Sequence, residues 1–116
     1  MTGKPFRGMV IEVDLDPVIG HEQGRTRLCV VLQYDTGNRF ASTTIVAPLT
    51  DAAHIRVPSP IYVLVKQGDG GTTKDSYVLC DQIRTIDQLR VRRVYGVLAP
   101  ETVAAIDVAL RISLGL

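Results

Sequence analysis

Tryptophan is absent from this chain of 116 residues, and aromatic residues make up only 5% of it. No stretch approaches the roughly 18 consecutive apolar residues of a membrane-spanning helix, so we expect no membrane segment. Residues 1–7 lack the apolar core of a signal peptide, and we expect the first six to form a loose leader. The two cysteines, Cys29 and Cys80, lie in apolar runs without a Cys-x-x-Cys motif, which predicts buried, reduced thiols and a cytoplasmic protein.

Lysine is also scarce, because ten of the 13 basic residues are arginines. Twelve acidic residues leave a net charge of +1, which excludes a histone-like polycation but not a local patch that binds nucleic acid. The planar guanidinium matches phosphate oxygens in pairs and stacks on bases, although thermal adaptation or a GC-rich genome would give the same excess. With 46% apolar residues, the chain is expected to fold as one domain over residues 1–116.

Several catalytic motifs are missing. The chain has no P-loop, no G-x-G-x-x-G after a strand and no H-E-x-x-H, and His21 and His54 are its only histidines. Asp14, Asp16, His21 and Glu22 lie close in sequence, but their spacing matches no known metal-binding loop. We therefore predict neither a metal site nor a cofactor.

Hydrophobic patterning predicts a β-rich chain. Apolar and polar residues alternate over residues 9–16, as in a half-buried strand that Pro17 ends, and a polar loop follows at residues 20–27. Residues 34–42 and 67–75 carry the glycine, asparagine and aspartate typical of turns. Further strands are predicted at residues 28–33, 43–49, 61–65, 76–80, 83–86 and 94–98, with a polar loop at 52–60 and a basic segment at 88–93.

The pattern becomes helical near the C-terminus. Pro100 fits the first helical position, and Glu101 and Arg111 suit the two ends of the helix dipole. One apolar stripe consists of Val103, Ile106 and Leu110, and a second of Ala104, Val108 and Ile112. The second stripe favours a dimer contact, whereas a terminal helix fully packed within a monomer is the alternative. The predicted fold is α+β, a small, strongly bent antiparallel barrel closed by this helix.

Metal-free RNA cleavage is a chemistry that these residues could support. RNA carries its own nucleophile, the 2′-hydroxyl, so an enzyme needs to remove that proton, stabilise the phosphorane and protonate the leaving 5′-oxygen. Arg27, before one predicted strand, and Thr50, after the next, could hold the phosphoryl oxygens. Composition alone favours Arg27 as an ordinary surface arginine.

A set of short fragments in a fixed order carries a family resemblance. They are Arg7-Gly-Met-Val-Ile, Asp14-Leu-Asp-Pro, Gly20-His-Glu-Gln-Gly, Arg27 before Cys-Val-Val-Leu, Asn38-Arg39, residues 43–50 and Asp81-Gln-Ile-Arg-Thr-Ile-Asp. In this combination, from about Arg7 to the C-terminal helix, the chain resembles the MazF/PemK (Kid) family of toxins from type II toxin–antitoxin modules.

The resemblance implies a fold, an activity and partners. The fold would be an SH3-like β-barrel with a C-terminal helix, assembled as a homodimer. The activity would be that of a ribosome-independent endoribonuclease that cuts single-stranded mRNA at short motifs without a metal, leaving 2′,3′-cyclic phosphate and 5′-hydroxyl ends. A MazE-like antitoxin, with a DNA-binding N-terminal domain and an acidic tail, would block the RNA groove.

The resemblance also implies roles for individual residues. Arg27 matches the catalytic arginine, as acid–base group or phosphorane stabiliser, and Thr50 matches the catalytic threonine. The implied RNA-binding residues are His21, Glu22 and Gln23, on a loop that closes over RNA, together with Asn38, Asp81 and Gln82.

Two positions depart from the family pattern. In the PemK branch, the Asp81 position acts as general base and an arginine two residues earlier as general acid, but this chain has Leu79 there. The departure shifts the expected catalysis to Arg27 with Thr50. Leu28 replaces a frequent proline, which frees φ and restores an N–H beside the arginine.

Purely structural roles remain open for several of these side chains. Asn38 and Arg39 could be turn residues, and Arg84 and Asp87 could pair with each other or with loop backbone. His54 fits a loop surface better than a catalytic site. Residues 90–93 carry three arginines that could form a solvated basic face or a phosphate track.

Two other functions compete with the endoribonuclease. Gyrase-poisoning CcdB toxins share this fold and end in Trp-Gly-Ile, but this chain ends in Ser113-Leu-Gly-Leu and has no tryptophan. A catalytically inactive barrel that only binds RNA or a partner protein is the third possibility.

Overall fold

A computed structural model describes residues 3–15 and 26–116 of the chain. Within these ranges, the strands are β1 (Met9–Asp14), β2 (Thr26–Val31), β3 (Thr43–Asp51), β4 (Tyr62–Val65), β5 (Ser76–Leu79), β6 (Arg84–Asp87) and β7 (Val91–Val97). The α-helices are α1 (Asp35–Phe40) and α2 (Pro100–Leu114), and 3₁₀ turns span Ala52–His54, Asp69–Gly71 and Gln88–Arg90. Neither α-helix of the described ranges has the length and apolarity needed to cross a membrane.

The strands form one antiparallel sheet in the order β4-β5-β3-β2-β1-β7, and β6 also pairs with β3. The predicted α+β class, the antiparallel sheet and the C-terminal helix are confirmed. The ring of a closed barrel is not completed, because in the described ranges β4 and β7 lie at opposite ends of the pairing order. α2 packs against β4 instead and covers that side of the sheet.

The long strand β3 organises the sheet. Its first half pairs with β6, from Thr43 opposite Asp87 to Val46 opposite Arg84. Its last three residues pair with β5 along the same edge, and β2 pairs with its centre on the other edge. β3 therefore connects the region under α2 to the region around β1 and β7.

Apolar side chains are buried on both faces of this sheet. One cluster lies under α2, where Ile106 and Ala109 pack against Val10, Val30 and residues of β3, β4 and β5. The second lies on the opposite face and consists of Met9, Ile11, Val13, Cys29, Val31, Val46, Ile86 and Val91. β1 contributes to both clusters, so its apolar residues are buried more completely than the predicted half-buried strand implies. Both cysteines are free and buried, as predicted.

α1 was not predicted, since residues 34–42 carry turn-forming residues with low helix propensity. Tertiary hydrogen bonds stabilise it. The Asn38 amide donates to the Gln33 carbonyl at 2.8 Å and accepts from the Thr44 hydroxyl at 2.6 Å. The Gln88 amide nitrogen lies 2.9–3.1 Å from the carbonyls of Asn38, Ala41 and Thr43.

Hydrogen bonds hold in place both the N-terminal segment that was expected to be loose and the predicted turn at residues 67–75. Near the N-terminus, Pro5 is buried and the Lys4 ammonium donates to the Ala41 carbonyl and the Gln88 side chain, both at 3.1 Å. In the glycine-rich turn at residues 67–75, the Asp69 carboxylate accepts from the Ala99 N–H at 2.8 Å and from the Thr102 hydroxyl at 2.5 Å. Asp69 thus ties this turn to the start of α2 and places a negative charge beside the helix N-terminus.

Candidate functional site

Strand register places Arg27 and Thr50 on the same face of the sheet. β2 and β3 pair with Cys29 opposite Pro48 and Val31 opposite Val46, so each pair of residue numbers adds to 77. Continuing this register two residues further puts Arg27 opposite Thr50. Because side chains alternate along a strand, both point to the face that carries Cys29.

The two side chains line one depression of about 570 Å³. The wall also includes His54, Lys74 and Ser76, with Thr26, Leu28 and Leu49 completing it. β2 begins at Thr26, two residues earlier than predicted, so Arg27 projects from a strand and not from the preceding loop. The sequence-based expectation that Arg27 and Thr50 meet at one place therefore has a geometric basis.

Backbone and charge interactions define how Arg27 is held. Its guanidinium donates to the Leu49 carbonyl at 3.2 Å, which ties it to the β3 backbone next to Thr50. Burial raises the pKa of the Cys29 thiol to about 11, and the positive charges of Arg27 and Arg84 oppose that rise. Arg84 lies opposite Val46 on β6, on the same face as Cys29. The residues that carry these two guanidinium groups, Arg27 and Arg84, therefore both project from the face that carries Cys29.

Asp51, the last residue of β3, holds in place two residues that line the depression, His54 and Lys74. Its carboxylate accepts from the Ala53 N–H at 3.0 Å and pairs with the Lys74 ammonium at 3.1 Å. The backbone hydrogen bond and Lys74 lower the pKa of Asp51, with a smaller contribution from the charge of His54. Asp51 therefore fixes the 3₁₀ turn that ends at His54 and holds Lys74 at the rim.

His54 and Lys74 were not predicted as site residues. His54 is exposed, as expected for a loop histidine, but it also lines the depression beside Thr50. No local motif marks either residue. Lys74 approaches because β5 pairs with the end of β3, a long-range contact that strand patterns do not encode.

Asp81 and Gln82 are exposed on a turn between β5 and β6. The numbers of paired residues add to 127 where β3 pairs with β5 and to 130 where it pairs with β6. The turn between β5 and β6 therefore contains three residues more than an unbroken pairing with β3 would need, and these protrude from the edge of the sheet. Leu79, at the position of the missing PemK-type acid, is buried at the end of β5. His21, Glu22 and Gln23 lie outside the described residues.

Comparisons with known proteins match this architecture over nearly the whole chain. A family model for the PemK-like, MazF-like toxin of type II toxin–antitoxin systems matches residues 6–114. The Endoribonuclease MazF of Staphylococcus epidermidis is 41% identical over 110 residues, which are 95% of this chain and 91% of that protein. The chain belongs to the PemK-like, MazF-like toxin family. The resemblance seen in the sequence is therefore confirmed.

Solved structures of related toxins have the same fold. An endoribonuclease in complex with its cognate antitoxin, from a mycobacterial species, has a TM-score of 0.79 at 27% identity, covering 97% of this chain and 96% of that one. The MazE–MazF complex (Form-II) of Deinococcus radiodurans has a TM-score of 0.81 at 23% identity, covering 98% of each chain, and at that identity shows the fold alone.

In this toxin, Asn38 has a structural role. Its side chain is fully buried and its amide is engaged by Gln33 and Thr44. The predicted RNA contact through Asn38 is not supported, because the side chain has no surface to offer a ligand. The alternative, a residue that organises the local backbone, describes it correctly.

The other basic residues divide between structural contacts and exposed positions. Arg90 donates to the Asp14 carbonyl at 3.3 Å, and Arg92 forms an ion pair with the Asp14 carboxylate. Arg93 lies over the Tyr95 ring, 4.7 Å from its centroid.

The Asp87 carboxylate accepts from the Leu89 N–H at 2.8 Å, so its described partner is the loop backbone, one of the two options predicted for it.

Replacing Asn38 tests its structural role. Asn38→Ala leaves the Thr44 hydroxyl and the Gln33 carbonyl without their buried partner, so we expect a loss of about 2–4 kcal/mol in unfolding free energy, measured by urea denaturation. Arg39→Ala, at the exposed neighbouring position, should change it by less than about 0.5 kcal/mol. Unchanged stability together with weakened RNA affinity would return Asn38 to the RNA-binding surface.

Proposed function

We propose that this toxin is a sequence-specific endoribonuclease that cleaves single-stranded RNA, chiefly mRNA, independently of ribosomes and metal ions. The substrate 2′-hydroxyl attacks the adjacent phosphorus, the bond to the 5′-oxygen breaks, and the products carry 2′,3′-cyclic phosphate and 5′-hydroxyl ends. The convergence of Arg27 and Thr50 on one depression is the observation that carries this proposal.

Arg27 and Thr50 supply the stabilisation that the transition state needs. The crowded phosphorane gathers negative charge on its non-bridging oxygens, and a guanidinium can donate two hydrogen bonds to them at once. The Thr50 hydroxyl, half-buried at the wall, is placed to donate one more. Neither group needs reorganisation, because a strand holds each of them.

His54 is the candidate for the proton acceptor. The imidazole is the side chain suited to exchange a proton near neutral pH, and His54 lines the same depression. It would take the 2′-hydroxyl proton as the O2′–P bond forms, while water protonates the departing 5′-oxygen. With Leu79 at the position of the PemK-type acid, this arrangement does not depend on the PemK residue pair.

The proposed partners follow from the family and from the exposed surfaces. The mycobacterial endoribonuclease and the Deinococcus MazF are each seen with an antitoxin. We propose that a MazE-like antitoxin neutralises this toxin by covering the face around Arg27. We place the toxin in the cytoplasm, where mRNA is found and where its two buried thiols would stay reduced.

A homodimer is supported by the outer face of α2. The first apolar stripe packs inward around Ile106, as predicted, but Val108 and Ile112 of the second stripe are 59% and 52% exposed. Exposed branched apolar side chains on adjacent turns form a patch that association would bury. We propose that this face contributes to the contact between two copies of the chain.

Removal of either phosphate-binding group should abolish cleavage without unfolding the protein. We expect Thr50→Val to lower the single-turnover rate on a defined RNA in EDTA by about 10²-fold and Arg27→Ala by at least about 10³-fold. Arg93→Ala, which removes an equal charge on β7, is the control and should cleave normally. Wild-type rates in a folded Arg27→Ala variant, or cleavage that stops in EDTA, would contradict the mechanism.

The role of His54 can be tested by removing its imidazole. His54→Gln should lower the single-turnover cleavage rate by about 10²-fold or more, because a glutamine amide cannot accept the 2′-hydroxyl proton. If His21→Gln lowers the rate by this factor and His54→Gln leaves it unchanged, the proton acceptor is the other histidine.

The dimer contact can be tested by adding charge to α2. Val108→Glu combined with Ile112→Glu should shift the protein from dimer to monomer in light scattering coupled to size-exclusion chromatography, because like charges would be buried against each other. Val57→Glu, at an exposed apolar residue of a loop, should leave the mass unchanged. A dimer that persists with both glutamates would place the contact elsewhere.

A further inference from the structure

Two tyrosines lie on the sheet next to the proposed catalytic residues and have no role in the mechanism above. Tyr62 on β4 and Tyr77 on β5 are each half-buried, and their ring centroids lie 6.4 Å apart with the planes inclined by 53°. Aromatic rings are scarce in this chain, which has four tyrosines and two phenylalanines. Two of these six rings are therefore concentrated at one place.

The strand register ties this pair to Thr50. Tyr77 stands directly opposite Thr50 in the β3–β5 pairing, and Leu64 stands opposite Tyr77 in the β4–β5 pairing. Residues directly opposite have Cβ atoms roughly 4.5–5.5 Å apart and project to the same face. Tyr62 pairs with Leu79, two residues from Tyr77, so it shares that face as well.

A row of side chains thus crosses four strands: Arg27, Thr50, Tyr77 and Leu64. Adjacent strands are about 4.8 Å apart, so Tyr77 follows immediately after the pair that would hold the scissile phosphate. Leu64, 43% exposed, completes an apolar floor beside the ring. Along this row a cationic side chain, a hydroxyl and an aromatic ring follow one another, each on the next strand of the sheet.

We infer that Tyr77, supported by Tyr62, is a stacking platform for the base next to the scissile phosphate, an inference that rests on the proposed RNA substrate. Both tyrosines are partly exposed, and bases of single-stranded RNA stack on such rings. The tilted contact between the two tyrosines fixes the orientation of Tyr77 before RNA arrives. Pre-orientation reduces the entropy lost on binding.

The platform predicts affinity without sequence selectivity. Every base has a π-face, so stacking on Tyr77 strengthens binding whichever base is present. The cleavage motif would be read by other groups, such as the exposed Asp81 and Gln82. Changing Tyr77 should therefore raise the dissociation constant for all cognate sequences and leave the mapped cleavage motif the same.

Fluorescence gives a direct test, because the chain has no tryptophan. Tyr77→Trp keeps an aromatic ring and adds the only indole, and its emission should be quenched saturably by a single-stranded RNA whose cleavage-site ribose is 2′-deoxy, so that it binds but is not cut. Tyr34→Trp, at a 66% exposed position beside α1, is the matched control and should not respond. No change in emission from Tyr77→Trp at saturating RNA would overturn the platform.

A second measurement assigns the contact to one nucleotide. Tyr77→Leu keeps apolar bulk against Leu64 but loses the π-face, so the dissociation constant of the uncleavable RNA should rise roughly 5- to 100-fold, and Tyr77→Phe should restore binding. In wild-type protein, an abasic residue beside the cleavage site should weaken binding by a similar factor. That penalty should disappear in Tyr77→Leu, because both changes remove the same contact.

The outcomes separate this inference from the proposed function. If wild-type protein cuts RNA but Tyr77→Leu binds it normally, the tyrosine pair only packs the sheet and the platform is wrong while the nuclease stands. If wild-type protein cuts no RNA but Tyr77→Trp is still quenched by single strands, the proposed nuclease is wrong while the platform stands.

Discussion

The register of β3 is the constraint on which the site depends. Side chains alternate along a strand, so a slip of one residue would move Thr50 to the opposite face, away from Arg27. Apolar residues on both faces of β3 do not set the register by themselves, since either face accepts them. The buried hydrogen bond from Thr44 to Asn38, and the bond from the Gln88 amide to the Thr43 carbonyl, specify it, because a shifted strand would leave these polar groups unsatisfied. Asn38 thereby acts on the site from a distance.

Much of the fold could be predicted from the sequence, but little of the site's surroundings could. Period-two alternation and the helical stripes near the C-terminus give strands and α2 with small errors at the ends. α1 could not be found, because tertiary hydrogen bonds to Asn38 override its weak local propensity. Lys74 and Tyr77 reach the site through the pairing of β3 with β5, whose paired residues lie 25 to 29 positions apart in sequence. His54 reaches it through the 3₁₀ turn that directly follows β3, which the sequence pattern did not predict. Arg27 and Thr50 were candidates from their places beside predicted strands, and the family resemblance gave them catalytic roles. The resemblance also supplied the RNA contact at Asn38 that burial argues against.

The local charge of the site differs from that of the chain. Although the net charge of the chain is only +1, one face of the sheet is locally positive. The charges of Arg27 and Arg84 both act to lower the pKa of the Cys29 thiol there, and Lys74 lies at the rim of the depression. Asp51 is the acidic residue beside them, and its carboxylate is engaged by the Ala53 N–H and Lys74. The carboxylate thus holds a cation and a 3₁₀ turn in position, and it adds little repulsion toward the phosphate that we propose binds at Arg27.

Burial separates the structural polar groups of this fold from those of the proposed site. Asn38, Thr44, Thr72 and Ser76 are buried, and each has a hydrogen-bond partner within the protein, as buried polar groups require. Arg27 and Thr50 are only half-buried and line the depression near the end of β3, and Tyr77, also half-buried, lies opposite Thr50 on β5. Paired strands can fix the direction of these three side chains without burying them, because the hydrogen-bonded backbone holds each Cα in position. The same backbone that completes the core therefore presents a guanidinium, a hydroxyl and a ring in one line to a ligand.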